Sequence, residues 1–351
     1  MKRSSKVQNK KRKVIQVIVG VCIVVFMAIF IVTGIIYFSV MNKHIYTYKN
    51  ARGLADFSLY EKLEREDACF YSDQGNKLQG YFYYCKDIKC DKGVIIVNNG
   101  FGTGHEAMLG EIAALTKEGY LVYGFDKTGY DFSEGEGIGS LTQGVSDLAY
   151  AIEFVSASTQ AADMDIILYG KSWGAYCSLA VLNKTDRVSA VVSMSAFNDT
   201  SDMIRSEATR MLGSIGKLIT PFTYFWDWLN EEKITAASGI KNSKAKILIM
   251  HSLDDETVDV EKSYTLFKNE YGNQERISFV LYDDKNHSII KSKESIQYIQ
   301  QMDSDLQSFA EENNGEMTEE LWEVFLSQYD VRKCSEPDEE VLAEIFCFLQ
   351  K

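Results

Sequence analysis

The sequence is poor in proline and lacks the common metal and nucleotide motifs. Only 2 of its 351 residues are proline, which argues against long proline-rich linkers between domains. No pair of cysteines has the CxxC spacing of a zinc site, and neither GxGxxG nor GxxxxGK[ST] occurs. We therefore expect no metal and no cofactor.

Acidic residues outnumber basic ones outside the extreme N-terminus. The chain carries a formal net charge of −13, although seven of its basic residues lie within the first 13 positions. The remainder is therefore more acidic than the whole chain. Because nucleic acids and anionic lipid surfaces are themselves negative, this balance disfavours both as partners.

The N-terminus combines a basic block with a long uncharged run. Residues 1–13 contain no acid, and residues 14–41 are almost entirely apolar and carry no charge. About 20 apolar residues suffice to cross a bilayer, so this run predicts a transmembrane helix. A cleaved signal peptide is the alternative, but its apolar part would be only about 7–15 residues long. The basic block should stay in the cytoplasm, which places the rest of the chain outside.

An extracytoplasmic location would permit disulfides among the 7 cysteines. Cys85 could pair with Cys90, and Cys334 with Cys347, but the spacing does not fix the pairing. Cys177, on an apolar helix face, is more typical of a buried free thiol.

Beyond residue 65, short apolar runs alternate with helical patterns. Strands that are apolar throughout indicate a mostly parallel sheet whose two faces are covered by helices, and hence an α/β fold. A glycine turn at 75–76 also predicts a hairpin between 68–72 and 78–85. The main strands are predicted at 93–99, 120–126, 165–170, 188–195, 245–252 and 277–284, and helices at 105–118, 141–157 and 173–184.

Two helical stretches interrupt this alternation, at 201–244 and at 290–335, and they suggest a cap and a C-terminal extension. The role of 290–335 is not evident from the sequence. The predicted order is a cytoplasmic basic tail (1–13), a transmembrane helix (14–41), a juxtamembrane connector (42–65), a first part of the α/β core (66–200), a helical cap (201–244) and a second part of the core with the helical C-terminal extension (245–351).

The stretch "LYGKSWGAY" (168–176) carries the main candidate for chemistry. Gly-x-Ser-x-Gly has only three fixed positions, so the pattern alone also arises by chance. Here it follows a buried strand and opens a helix, which is the context of a nucleophile elbow. The tight turn lifts the serine hydroxyl above the sheet, and Gly170 and Gly174 leave room for neighbouring backbone. Ser172 is therefore the predicted nucleophile.

A serine hydroxyl needs a base to become a good nucleophile, and histidine is the usual one. The chain has 4 histidines, and the elbow requires the order serine, acid, histidine. Only His251 and His287 follow Ser172, and only His287 also follows a cluster of acids at a strand end. We predict His287 as the base.

The acid should lie just beyond a strand, where it can hold the histidine tautomer and stabilise the imidazolium. The stretch "HSLDDETVDV" places two aspartates beyond the strand at 245–252. We predict Asp255, and Asp254 and Asp199 remain alternatives. Each of these aspartates could instead cap a turn in its loop and have no role in catalysis.

Acyl transfer also needs hydrogen-bond donors for the oxyanion. In a nucleophile elbow one donor is the backbone N–H of the next residue, here Trp173, and the other comes from the loop after the first core strand. That loop reads "NNGFGTGH", and its glycines let the backbone fold tightly towards the carbonyl. We predict Phe101 as the second donor.

Four blocks in order, "VNNGFG", "GFDKTGYDFSEG", "GKSWG" and "HSLDDETV…NHS", resemble the α/β-hydrolase fold family, especially its serine aminopeptidase and monoglyceride-lipase-like branch. The resemblance covers about residues 66–300 plus the final helix. In the second block Asp126, Gly129 and Ser133 match the usual Asp-x-Arg-Gly-x-Gly-x-Ser, whereas Thr128 stands where arginine is usual. Relatives often have His-Gly at the oxyanion loop, where this chain has Asn-Gly.

The resemblance implies an α/β-hydrolase fold, with a mostly parallel central sheet flanked by helices and a small helical cap, here preceded by one transmembrane helix. It implies a carboxylic ester hydrolase, lipase or peptidase that uses a Ser-Asp-His triad without a cofactor. We expect a membrane-anchored enzyme of the esterase or lipase type, whose partners are an ester, lipid or peptide substrate and the membrane. A serine peptidase of the aminopeptidase type and a non-catalytic binding ectodomain are the alternatives.

Two features bear on the substrate. A peptidase that binds a free N-terminus would need acids near the cleft, and Glu106 and the acids of 201–232 are candidates, although a solvated face is the simpler explanation for them. The aromatic residues of the cap could line an acyl pocket or pack the cap onto the core: Phe222, Tyr224, Phe225 and Trp226.

Overall fold

The computed structural model of the protein describes residues 2–47, 56–230 and 233–350. In these ranges the strands are β1 (Leu63–Asp67), β2 (Phe70–Tyr71), β3 (Lys77–Leu78), β4 (Gly80–Cys85), β5 (Val94–Asn98), β6 (Leu121–Phe125), β7 (Ile166–Lys171), β8 (Val188–Met194), β9 (Lys246–Ser252) and β10 (Ile277–Tyr282). The helices are α1 (Lys2–Met41), α2 (Leu109–Lys117), α3 (Gln143–Ala157), α4 (Trp173–Ala180), α5 (Thr200–Leu212), α6 (Ser214–Asn230), α7 (Ala236–Asn242), α8 (Tyr264–Tyr271), α9 (Lys293–Glu312), α10 (Glu319–Leu326) and α11 (Glu339–Leu349).

Eight of these strands form one sheet, in the order β1-β4-β6-β5-β7-β8-β9-β10. From β6 to β10 all neighbours pair in parallel, whereas β4 runs antiparallel to both β1 and β6. The predicted mostly parallel sheet flanked by helices is thereby confirmed. Because its strands are parallel, the carboxyl ends of β5, β7, β9 and β10 meet at one edge, where the site described below is built.

The central strands are apolar throughout because both of their faces are covered. In β5, Ile95 and Val97 belong to a core shared with α2 and α11, whereas Ile96 points to the opposite core, shared with α3 and α4. Successive side chains of a strand alternate between faces, so a strand buried on both sides must be apolar at every position.

The predicted connector 42–65 is attached to the core at both of its described ends. Near its start, the Ile45 N–H donates to the Gly129 carbonyl at 2.9 Å, and the Asp131 N–H donates to the Ile45 carbonyl at the same distance. At its other end Leu63 already belongs to β1, so the predicted boundary at residue 65 falls inside a strand. Residues 48–55 of the connector lie outside the described residues.

The hairpin predicted between 68–72 and 78–85 is only partly present. Phe70–Tyr71 and Lys77–Leu78 pair with each other, but the long strand β4 pairs with β1 and β6 instead. The reason is burial: Phe82 and Tyr83 are successive residues and both are fully buried, so β4 belongs inside the sheet and not in an isolated ribbon.

The two helical stretches lie where the sequence predicts helices. The segment 201–244 contains α6 and α7 and most of α5, and the segment 290–335 contains α9, α10 and a short 3₁₀ helix. The latter has a small core of its own, formed by Met302, Phe325 and Cys334. All seven cysteines are free, so neither of the disulfides that an oxidising location would permit is formed.

Candidate active site

Ser172 lies in the turn that joins β7 to α4. Its backbone has φ 52° and ψ −116°, a conformation that is strained for a residue with a side chain and that clusters at functional sites. A Cβ atom at Gly170 would collide with the backbone of Gly174 and Ala175, so only glycine fits there. The Ser172 N–H donates to the Met194 carbonyl at 2.8 Å, which fixes the turn against the neighbouring strand.

His287 links the Ser172 hydroxyl to a carboxylate. Its Nε2 lies 2.9 Å from Ser172 Oγ, and its Nδ1 lies 2.8 Å and 3.0 Å from the two carboxylate oxygens of Asp255. An ionised carboxylate only accepts, so Nδ1 carries the proton and Nε2 is free to accept the serine proton. The structure thus brings together the three residues that the sequence predicts, at the carboxyl ends of β7, β9 and β10.

The Asp255 side chain is completely shielded from solvent and has four donors around it. Besides His287, it accepts hydrogen bonds from the N–H groups of Thr257 (2.8 Å) and Val258 (2.9 Å), and His251 Nε2 lies 3.1 Å away. Burial raises the pKa of this carboxyl, but the hydrogen bonds from His251, His287 and Val258 outweigh it and hold the pKa well below its usual range. Asp255 is therefore ionised at neutral pH.

The residues considered as alternatives have other tasks. Asp254 accepts hydrogen bonds from the Ser252 hydroxyl and from the Asn286 N–H, so it braces the two loops. Asp199 caps the N-terminus of α5. His251 is fully buried and contacts Asp255 without reaching Ser172, which makes it a support for the acid and not a base. The spacing of four residues between His251 and Asp255 is the only sequence signal for this contact.

The two predicted oxyanion donors lie side by side next to the nucleophile. Gly100 approaches Ser172 so closely that a Cβ atom on it would lie 3.5 Å from the serine Cβ, and the Phe101 ring lies 5.7 Å from that of Trp173, centroid to centroid. Trp173 is the first residue of α4, where backbone N–H groups have no partner within the helix. The two residues predicted to donate to the oxyanion are therefore neighbours at the nucleophile.

A buried lysine supports the oxyanion loop from below, and the sequence analysis misses it. Lys127 is 1% exposed, and its Nζ donates to both the backbone carbonyl (3.0 Å) and the side-chain oxygen (2.9 Å) of Asn99. It also lies 4.8 Å from the centre of a Trp173 ring. Lys127 therefore joins the strand-end block "DKTG" to both elements that carry the predicted oxyanion donors.

Among the described residues no carboxylate lies at ion-pair distance from this lysine. Burial lowers the pKa of Lys127 from 10.5 to about 8, and Asp147 and Asp126 are close enough only to offset part of this effect. A positive charge in such surroundings is costly. Its position beside a site that must stabilise negative charge therefore points to a functional role. The sequence signal for Lys127 is the position of a lysine just after the end of an apolar strand.

The cap and the loop after β9 line an open cavity of about 1240 Å³; Asp255 is among its lining residues, whereas Ser172 and His287 are not. Its cap wall contains Arg205 and Arg210 of α5 and Lys217 of α6. The opposite wall is mainly acidic, with Glu256, Asp259 and Glu261 beside Lys262. The cap wall is therefore positively charged, in a chain whose net charge is negative. Among the described residues no group of three or more His, Cys, Asp or Glu side chains is placed to hold a metal ion.

Three of the acids considered for binding a substrate amine have partners elsewhere, whereas Glu231 and Glu232 lie outside the described residues. Glu106 forms an ion pair with Arg65. In the cap, Asp202 pairs with Lys262 at 3.2 Å, and Asp227 is fully buried between α1 and α5. Of the four cap aromatics, Tyr224 lines the cavity, whereas the other three pack against α1: Phe222, Phe225 and Trp226.

Comparison with known proteins gives one family and several similar folds. The prolyl oligopeptidase family matches residues 114–313. An esterase from Pyrococcus furiosus is similar in two crystal forms, with TM-scores of 0.55 and 0.54 at 17% and 18% identity, over 79% of this chain and 95% and 96% of the esterase. An acylaminoacyl peptidase from Pyrococcus horikoshii has a TM-score of 0.50 at 18% identity, over 65% of this chain and 38% of the peptidase. No curated protein matches significantly in sequence.

The structural likenesses, at such low identity, show the fold. The family match is stronger evidence, because it covers more than half of the chain and includes Ser172, Asp255 and His287. The chain belongs to the prolyl oligopeptidase family, and it is a serine hydrolase of the α/β-hydrolase fold.

Proposed function

We propose that this protein is a membrane-anchored serine hydrolase that cleaves carboxylic esters with Ser172 as nucleophile, His287 as base and Asp255 as the acid that orients the base. The observation that carries the proposal is the 2.9 Å distance from Ser172 Oγ to His287 Nε2, with Asp255 on the other ring nitrogen. This geometry is what activation of a serine hydroxyl requires.

The reaction follows from these positions. His287 Nε2 accepts the Ser172 proton while Oγ attacks the ester carbonyl carbon, and the N–H groups of Phe101 and Trp173 donate to the resulting oxyanion. His287 then passes the proton to the alcohol oxygen, which leaves as the C–O bond breaks. Water attacks the acyl-enzyme, His287 accepts its proton and returns it to Ser172, and the carboxylic acid departs. Asp255 stays ionised throughout and stabilises the imidazolium. No cofactor takes part.

The charge of the cap wall, and not of the whole cavity, supports an ester substrate over a peptide with a free N-terminus. An aminopeptidase must bind an ammonium group, for which a carboxylate near the cleft is the natural partner. The cap presents Arg205, Arg210 and Lys217 to the cavity, and two of its acids, Asp202 and Asp227, are engaged elsewhere; a substrate amine would find carboxylates only on the loop opposite the cap. A positive wall suits an ester whose acyl or alcohol part is neutral or anionic.

The membrane part of the proposal rests on α1. Its segment Lys11–Met41 is long and apolar enough to cross a membrane, a test that a signal sequence also passes. At about 1.5 Å per residue its 31 residues reach about 46 Å, whereas a hydrocarbon core needs about 30 Å. The basic residues before it favour a cytoplasmic N-terminus, so the hydrolase domain would lie outside the cytoplasmic membrane.

The test is hydrolysis by the full-length chain in detergent micelles. A series of p-nitrophenyl esters of increasing acyl length is compared with aminoacyl amides, for the wild type, Ser172→Ala and the surface control Ser156→Ala. We expect ester hydrolysis that Ser172→Ala abolishes and Ser156→Ala leaves unchanged. Preferential cleavage of the amides would establish the peptidase, and a folded wild type without any hydrolysis would establish the non-catalytic ectodomain.

A further inference from the structure

Helix α6 carries an apolar stripe along its outer side. The stripe consists of residues 215, 218, 222, 225 and 229, whose spacing of three and four places them on one face of a helix. Three of its members are largely exposed: Ile215 by 64%, Leu218 by 74% and Leu229 by 53%. None is charged. Such a contiguous exposed stripe marks an interaction surface.

The middle of this stripe packs against α1. The ring of Phe222 lies 5.1 Å from that of Phe26, and the ring of Phe225 lies 5.3 Å from that of Phe30. The adjoining Trp226 stacks at 4.5 Å from Phe30 and donates its indole N–H to the Phe30 carbonyl at 3.2 Å. The two helices therefore form one continuous apolar surface.

A buried polar contact fixes the position of α6 along α1. The Tyr37 hydroxyl donates to one carboxylate oxygen of Asp227 at 3.0 Å, and the Thr200 hydroxyl donates to the other at 3.1 Å. Asp227 is fully buried. At Gly34 a side chain would come within 2.8 Å of the Trp226 ring, so α1 is shaped to receive α6 there. Such a buried, hydrogen-bonded carboxylate specifies register.

The contacts lie in the half of α1 that is farther from the basic tail. If the hydrocarbon core begins after Lys13, about 20 residues reach its far side near Gly34. The α6 contacts from Phe26 to Gly34 cover about 12 Å of α1 at about 1.5 Å per residue. These aromatic contacts therefore fall within the core, whereas the Tyr37–Asp227 and Phe38–Trp226 contacts lie at its far side.

We propose that α6 lies against the lipid of the outer leaflet beside α1, with its exposed stripe in contact with acyl chains. This inference rests on the membrane anchoring proposed above. The exposed side chains of α1 from Val14 to Ile36 need hydrocarbon around them, and the stripe extends the same surface without a charged interruption. The opposite side of α6, with Lys217, Thr220 and Tyr224, lines the cavity that reaches Asp255. One helix thus separates the bilayer from the cavity.

The experiment places a photoreactive benzophenone side chain at Leu218 of the full-length chain in phosphatidylcholine vesicles. Matched sites are Val24, 68% exposed on α1, and Val324, 54% exposed on α10. After irradiation, intact mass identifies what each site contacts, and hydrolysis of a short p-nitrophenyl ester is measured on the same vesicles. We expect a single-phospholipid adduct at Leu218 and at Val24 and none at Val324.

The outcomes separate this inference from the function on which it rests. A lipid adduct at Val24 without one at Leu218 overturns the inference and leaves the anchor standing. Cross-linked dimers at Leu218 also overturn it, because a second copy would then cover the stripe. Absence of lipid adducts at both sites removes the anchor and the inference together, while ester hydrolysis reports on the catalytic proposal independently.

Discussion

Replacing Lys127 by methionine tests how the predicted oxyanion hole is held in place. Methionine fills most of the space of the lysine stem but cannot donate, so the two hydrogen bonds to Asn99 are lost. The loop that carries Phe101 then loses its support beside Ser172. Removing one oxyanion donor from a serine hydrolase costs about 100- to 1000-fold in kcat.

The expected loss for Lys127→Met is smaller, about 10- to 100-fold in kcat, because the loop keeps a second attachment. The Gly102 N–H still donates to the Tyr130 hydroxyl at 3.0 Å. The other predicted donor, at Trp173, is held by α4 and stays in place.

The same substitution should change the free energy of unfolding only modestly, because two effects oppose each other. Burial lowers the pKa of Lys127 from 10.5 to about 8, so at neutral pH its charge costs the folded state about 3 kcal/mol, an order-of-magnitude figure. Removing the charge relieves this cost but leaves two buried oxygens of Asn99 unpaired, at about 1–3 kcal/mol each. The two effects nearly cancel, so we expect the free energy of unfolding to change by less than about 2 kcal/mol.

The pH dependence provides a second measurement on this variant. The folded pKa of Lys127 is depressed, so between pH 8 and 10.5 the unfolded chain binds a proton that the folded chain does not, and the free energy of unfolding rises with pH. Burial, together with the nearby Lys171, lowers the pKa of Lys291 to about 8 as well, and this adds an equal rise. Buried thiols oppose this rise, because burial raises the pKa of Cys334 to about 11, but they do so equally in the wild type and the variant. Lys127→Met should therefore remove the contribution of one of the two lysines and make the pH dependence less positive than in the wild type.

The assay uses the full-length chain in detergent micelles, with kcat on a short p-nitrophenyl ester and urea unfolding at about pH 7.5 and about pH 9.5. Arg276→Met is the matched control, because Arg276 also donates to two backbone carbonyls, of Ala245 and Ile240, at the far edge of the sheet. A Lys127→Met enzyme with wild-type kcat would contradict the inference that Lys127 supports the oxyanion loop. An unchanged pH dependence of the free energy of unfolding would contradict the inference that Lys127 is a buried charge.

Four further predictions, from three variants, concern the acid and the cap. Asp255→Asn should lower kcat by about 10⁴-fold, since an amide favours the wrong tautomer of His287; ester hydrolysis measures this. The same variant should lose less stability on acidification below about pH 4, because the depressed pKa of Asp255 stabilises the folded state only above that range; acid unfolding curves show it. His251→Leu should cost about 1.5–3 kcal/mol in urea unfolding while most of kcat remains, because His287 keeps its carboxylate. Tyr37→Phe should cost about 1–3 kcal/mol, since it leaves an oxygen of the buried Asp227 without its donor; thermal unfolding in micelles checks it, and an unchanged midpoint would contradict the contact.

Much of the fold follows from the sequence because its signals are local. The strands β5 to β10 are short apolar runs that end in glycine or polar residues, and each lies within one or two residues of its predicted limits. The geometry of Ser172, Asp255 and His287 follows as well, because strand ends of a parallel sheet converge and the order of the three residues along the chain is constrained.

The remaining features depend on contacts between distant parts of the chain. Nothing in the periodicity of α6 indicates that Phe222 and Trp226 pack against α1, about 190 residues earlier, and not against the sheet. The buried position of Lys127 is equally hidden, since lysine is usually exposed and its partner Asn99 lies on another strand end. The same holds for β4, whose neighbours in the sheet are chosen by burial and not by the nearby turn.

The central claim is that Ser172 is the activated nucleophile. The most direct measurement is reaction of the folded, full-length chain with a fluorophosphonate, followed by mass spectrometry to locate the adduct. The account predicts one adduct per chain, on Ser172, whose formation is lost on unfolding and in His287→Ala. An unmodified folded chain, or an adduct on a different serine, would contradict it.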